Sequence, residues 1–67
     1  MNINEKVGHN IRNFRESQGY SQNDFAEECQ ISRAYYGRIE RGEHSITLDT
    51  CEKIAKTLGI PIKTLFD

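Results

Sequence analysis

Residues 20–42 read YSQNDFAEECQISRAYYGRIERG and carry two helix starts in close succession. Ser21 suits an N-cap, and Asp24 three positions on completes an approximate capping box. Tyr20 and Phe25 fall where a hydrophobic staple closes around that cap. A helix over about 22–29 follows, with Phe25, Ala26 and Cys29 facing inward. Ser32 repeats the device for a helix over about 33–40, with Ile31 and Tyr36 as the staple pair. So short a link forces a sharp crossing, and Ala26 is small enough to let the two backbones approach. The pattern is that of a helix-turn-helix.

The flanking sequence is helical as well. Ile3, Val7, Ile11 and Phe14 make one apolar stripe on a helix over about 3–18, stopped at Gly19. Gly42 ends the third helix, and 43–46 form a loop. Thr47 caps a fourth helix with Leu48, Cys51, Ile54, Ala55 and Leu58 on one stripe and Ile46 as staple. Gly59 stops it. Pro61 suits the first turn of a last short helix that carries Ile62, Leu65 and Phe66. No stretch alternates at period two. The expected fold is all-α: a compact five-helix bundle, one domain over residues 1–67, with the helix-turn-helix formed by helices two and three.

The chain has 67 residues and begins with Met, as a complete small protein would. A domain of that size has a thin core and little room for a catalytic cleft. There is no charged-then-apolar N-terminal segment of a signal peptide and no apolar run of membrane-spanning length, so a cytoplasmic protein is expected. Cys29 and Cys51 match no metal-ligand spacing and fall on apolar helix faces, so they read as buried free thiols. Neither His9 nor His44 has a metal-ligand partner. No nucleophile–base arrangement or phosphate loop is present, and neither an enzyme nor a cofactor is expected. The net charge of −1 argues mildly against a nucleic-acid binder. Distribution matters more, because Glu27, Glu28, Asp49 and Glu52 stand apart from the arginine-rich segment.

On a wheel of residues 33–41, Tyr36 and Ile39 face one way. Ala34, Gly37, Arg38 and Arg41 face the other, with Arg33 at the margin. Charge alone describes a solvated face equally well. The closely spaced double cap and the small residues among the arginines point to a helix built to enter a DNA major groove. Arg33 and Arg38 are candidate base readers, since arginine bonds bidentately to a guanine edge. Ala34 can meet a thymine methyl, and Ser32 can reach a base or phosphate. Gln22 at the start of helix two and Tyr35, Arg41, His44, Ser45 and Thr47 are candidate phosphate contacts. Arg15 and Glu40 flank the inward stripes of helices one and three, so they are expected to pair and aim the recognition helix. Arg12 reads as solvated.

"IRNFRESQGYSQNDFAEECQIS", "YYGRIERGEHSITLDTCEKIAKTLGI" and "PIKTLF" together resemble the helix-turn-helix family of phage repressors and Cro, the XRE family. Arg15, Ser21, Gln22, Ala26 and Ile39-Glu40-Arg41-Gly42 match its pattern. The resemblance implies base reading by residues 32, 33, 34, 37 and 38, a phosphate contact from Gln22, an Arg15–Glu40 bridge, and dimers on palindromic double-stranded DNA. Two positions depart from the pattern: Gln30 stands where the family often has glycine, and Gly37 offers no base-reading side chain.

A sequence-specific, dimeric transcriptional regulator is therefore the first reading. The second is an antitoxin-type module that binds another protein. Ile62, Leu65 and Phe66 supply an apolar patch for either a homodimer or such a partner. Within the family, length and the "SITLDT" segment suit the controller proteins of restriction–modification systems.

Overall fold

The structure, a computed structural model, describes residues 2–67. Four α-helices and one 3-10 helix follow in order: α1 (Ile3–Ser17), α2 (Gln22–Cys29), α3 (Arg33–Glu40), α4 (Leu48–Leu58) and the 3-10 helix Ile62–Phe66. Each α-helix starts on a side-chain cap that satisfies a free backbone N–H. Ser21 accepts from the N–H of Asp24, Ser32 from that of Tyr35 and Thr47 from that of Thr50, each at 3.1 Å. Asn2 caps α1 in a full capping box with Glu5. The Asn-x-x-Glu spacing announces that box in the sequence, though the stripe beginning at Ile3 draws the eye first.

The last segment is not a fifth α-helix. Pro61 sits before it in extended backbone, and the Thr64 N–H reaches the Pro61 carbonyl at 3.0 Å, an i to i+3 bond. Five residues after a proline make too few α-type bonds to offset nucleation, so the tighter turn wins.

The core gathers Val7 and Ile11 of α1, Phe25, Ala26 and Cys29 of α2, Tyr36 and Ile39 of α3, Cys51, Ile54, Ala55 and Leu58 of α4, and Leu65. Phe25 lies at its centre, edge-on to Tyr20 at 5.2 Å and to Tyr36 at 5.4 Å between ring centroids. Both cysteines are buried and free, and burial pushes both thiols up from their ordinary pKa. Two ends of the expected stripes fail to bury. Ile3 and Leu48 are 58% and 76% exposed, because each opens its helix beyond the reach of the opposing elements.

Glycine decides how α1 meets α3. A β-carbon at Gly8 would stand 2.2 Å from the Ile39 carbonyl oxygen and 2.8 Å from that of Glu40. At Gly42, where φ is +72°, it would stand 2.7 Å from the α-carbon of Glu5. The first half of α1 therefore lies backbone to backbone on the end of α3.

No helix among the described residues is long and apolar enough to cross a membrane.

Candidate nucleic-acid interface

The third helix is held from beneath by a buried polar cluster. Arg15 donates through Nε to Glu40 Oε2 at 2.6 Å and through Nη2 to Oε1 at 3.3 Å. Its Nη1 donates to the Tyr20 carbonyl at 2.7 Å. Glu40 also accepts from the Tyr36 hydroxyl and from Gln22 Nε2, the latter at 2.8 Å. The two charged side chains are 9% and 3% exposed. Burial works against the charge on Glu40. Hydrogen bonds from Arg15, Tyr36 and Gln22 outweigh it and hold the carboxyl below its ordinary range. The hydrogen bond to Glu40 raises Arg15 in turn. Burial, then the bond to Glu40, pushes the Tyr36 phenol far up.

This cluster ties α1, the start of α2 and the end of α3 into one frame. With Tyr36 and Ile39 locked inward, α3 turns its other side out. Arg33, Ala34 and Arg38 are exposed on that arc, and Ser32 is exposed at the cap. Beyond the helix, Arg41, His44, Ser45 and Thr47 are exposed in sequence order around the following loop.

Several candidate side chains have partners within the protein. Gly37 is buried and presents nothing to solvent, although it lies on the outward arc. The reason is Arg41, whose Nη1 would stand 3.1 Å from a β-carbon at position 37. Gln22 is half-buried, with its amide nitrogen on Glu40. Tyr35 is half-buried too; its hydroxyl faces Thr50 Oγ1 at 3.4 Å, and its ring stands edge-on to His44 at 5.2 Å. The Thr47 hydroxyl accepts from the Thr50 N–H and donates to Thr50 Oγ1 at 2.9 Å. Thr50 is thus a buried polar node joining α3, the loop and α4. Sequence reading passes over it, because it lies beside the apolar stripe of α4. Arg12 pairs with Glu16 one turn along α1, both exposed.

At the C-terminal end the apolar trio divides. Leu65 is fully buried and belongs to the core, so it is not available to a partner. Its carbonyl is anchored by Asn10 Nδ2 at 3.0 Å. Ile62 and Phe66 are each 38% exposed. Of the three, Leu65 alone turns into the core.

Among the described residues no group of three or more His, Cys, Asp and Glu gathers as a metal site.

A helix-turn-helix family model matches residues 11–65. The chain belongs to the helix-turn-helix family. The control protein C.BamHI of Bacillus amyloliquefaciens is 42% identical over 98% of this chain and 83% of its own length. The restriction–modification controller protein C.AhdI of Aeromonas hydrophila superposes with a TM-score of 0.91 at 33% identity, covering 94% of this chain and 96% of that one. The biofilm master regulator SinR, solved in complex with DNA, superposes with a TM-score of 0.87 at 29% identity, covering 91% and 98%; the SinR matched by sequence is from Bacillus subtilis. In this helix-turn-helix chain α2 and α3 follow one another across the short turn at residues 30–32.

Proposed function

We propose that this chain binds palindromic operator DNA as a homodimer and regulates transcription there. Membership of the family makes it a DNA-binding transcription regulator and not an enzyme. One observation carries the finer reading: Arg33, Ala34 and Arg38 stand exposed on one arc of α3 while Tyr36 and Ile39 of the same helix are buried. That arc fits a major groove, with small bulk at 34 and forked donors on either side. Arg33 and Arg38 read bases, Ala34 meets a thymine methyl and Ser32 closes the N-terminal edge. Gln22, Tyr35, His44, Ser45 and Thr47 approach phosphates, and the internal partners of the first two hold them in place. Ile62 and Phe66 form the apolar part of the dimer contact.

The controller class of restriction–modification systems is favoured within the family. This chain and C.BamHI match over 98% of the one and 83% of the other, and this chain and C.AhdI over 94% and 96%.

A fluorescence titration against selected and random duplexes at about 150 mM salt tests the reading. Selected palindromes should bind far more tightly than random DNA. Arg38→Ala should lose preference at one base position, and Gln22→Ala should weaken all sequences alike. Equal affinity for both kinds of duplex counts against sequence-specific regulation. Light scattering tests the dimer, which Phe66→Asp should dissociate.

A further inference from the structure

Residues 34, 37, 38 and 41 share the outward arc of α3 at helical spacing. Gly37 leaves a gap in that arc, and another side chain fills it. Long helical side chains run back toward the N-terminus, over the turn before their own α-carbon. Arg41 does so: its Nη1 lies 3.1 Å and its Cζ 3.9 Å from where a β-carbon at position 37 would be. The guanidinium therefore sits a turn deeper along the recognition helix than the backbone position of Arg41. Glu43 accepts from Arg41 Nε at 2.9 Å. Among the described residues the Arg41 guanidinium makes no hydrogen bond besides the one from Nε to Glu43, so both Nη groups keep their donors unused.

We infer that Arg41 is a specificity-determining residue, reading a base edge in the major groove through the gap at Gly37, and is not a phosphate clamp. The inference rests on the DNA-binding reading above and changes the phosphate role expected of Arg41 from the sequence. Two features favour it. A phosphate contact at the rim needs no cleared space over Gly37, whereas delivery to the groove floor does. Occupation of Nε by a carboxylate leaves the Nη1–Nη2 pair free, and that end-on fork matches the O6 and N7 acceptors of guanine. Glu43 alone would hold an exposed arginine weakly, so the gap is the essential part. Its carboxylate also opposes a nearby phosphate, which penalises contact with DNA backbone as such.

The test is selection of bound fragments from randomised duplexes, with wild type, Arg41→Ala, Gly37→Ala and Arg38→Ala compared, and titrations over a salt series. Arg41→Ala should relax the preference at one base pair per half-site by about 5- to 150-fold while the salt slope stays put. Gly37→Ala should relax the same base pair, because its methyl displaces the guanidinium; alanine favours the helix, so folding is not threatened. Arg38→Ala should relax a different base pair. Uniform weakening of all sequences by Arg41→Ala, with the slope of log affinity against log salt reduced by about 1, overturns the inference in favour of a phosphate contact. An Arg41→Ala protein indistinguishable from wild type overturns it as well. Wild type that enriches no sequence overturns the DNA reading itself, a result distinct from either.

Discussion

Arg15 in the last turn of α1 and Glu40 at the end of α3 meet at 2.6 Å, both almost wholly out of water. The pair does more than attract. Its remaining polar atoms are used by the Tyr20 carbonyl, the Tyr36 hydroxyl and the Gln22 amide, and no buried side-chain polar atom among the described residues lacks a partner. A buried ion pair is tolerable only when its other hydrogen-bonding capacity is met in this way. Its effect is geometric: it fixes the roll of α3 about its own axis, which decides which side chains face outward.

Breaking half of the pair should therefore hurt more than removing all of it. Arg15→Met leaves a buried carboxylate with only neutral donors and should cost about 3–5 kcal/mol. Combining it with Glu40→Gln should recover a large part of that loss, with a coupling above about 1 kcal/mol. Urea denaturation of the four proteins measures the coupling; simple additivity would refute the proposed interdependence.

The same carboxylate gives a pH dependence whose sign is fixed. The folded pKa of Glu40 lies below its ordinary value, so the unfolded chain binds a proton first as pH falls. The stabilisation is complete above the ordinary glutamate value of about 4.3 and is lost as pH drops through the lower folded value. Wild type should lose stability on acidification more steeply than Glu40→Gln, while the two should run parallel from about pH 6 to 7. Thermal melts across that range check it.

Gly8→Ala should be among the costlier small substitutions in α1. Its β-carbon meets two backbone carbonyl oxygens of α3, which cannot rotate aside as a side chain would. Helix propensity would favour alanine by about 1 kcal/mol, yet the overpacking of about 1–3 kcal/mol or more should prevail. A higher melting temperature for Gly8→Ala would show that α1 and α3 are less closely seated than described.

Gln30 ends α2 in the left-handed region, at φ 61° and ψ 41°. That geometry costs a side-chain-bearing residue roughly 1–2 kcal/mol. Glycine would relieve it, less about 0.5–1 kcal/mol of extra chain entropy in the unfolded state. Gln30→Gly should thus stabilise by a few tenths to about 1 kcal/mol, seen as a higher urea midpoint at unchanged slope. Its DNA affinity should be unaltered, since the turn makes no part of the proposed contact.

Local sequence sets the helices and their limits in the central motif. Ser21, Ser32 and Thr47 are caps whose partners lie three residues away, and such local bonds do not depend on the rest of the fold. The read limits of 22–29 and 33–40 coincide with α2 and α3. Helical phase likewise gave the directions in which Tyr36, Ile39, Arg33 and Arg38 leave the backbone. Tertiary structure decided whether anything stands opposite. Ile3 and Leu48 carry on their stripes past the last opposing side chain, and Leu65 is covered where its neighbour Phe66 is half open. It also decided that Gly8 is a seat for two carbonyls and that Arg41 folds over Gly37. Periodicity specifies an angle around one helix axis; burial and contact depend on the distance to another, and that distance is set only when all the helices have packed.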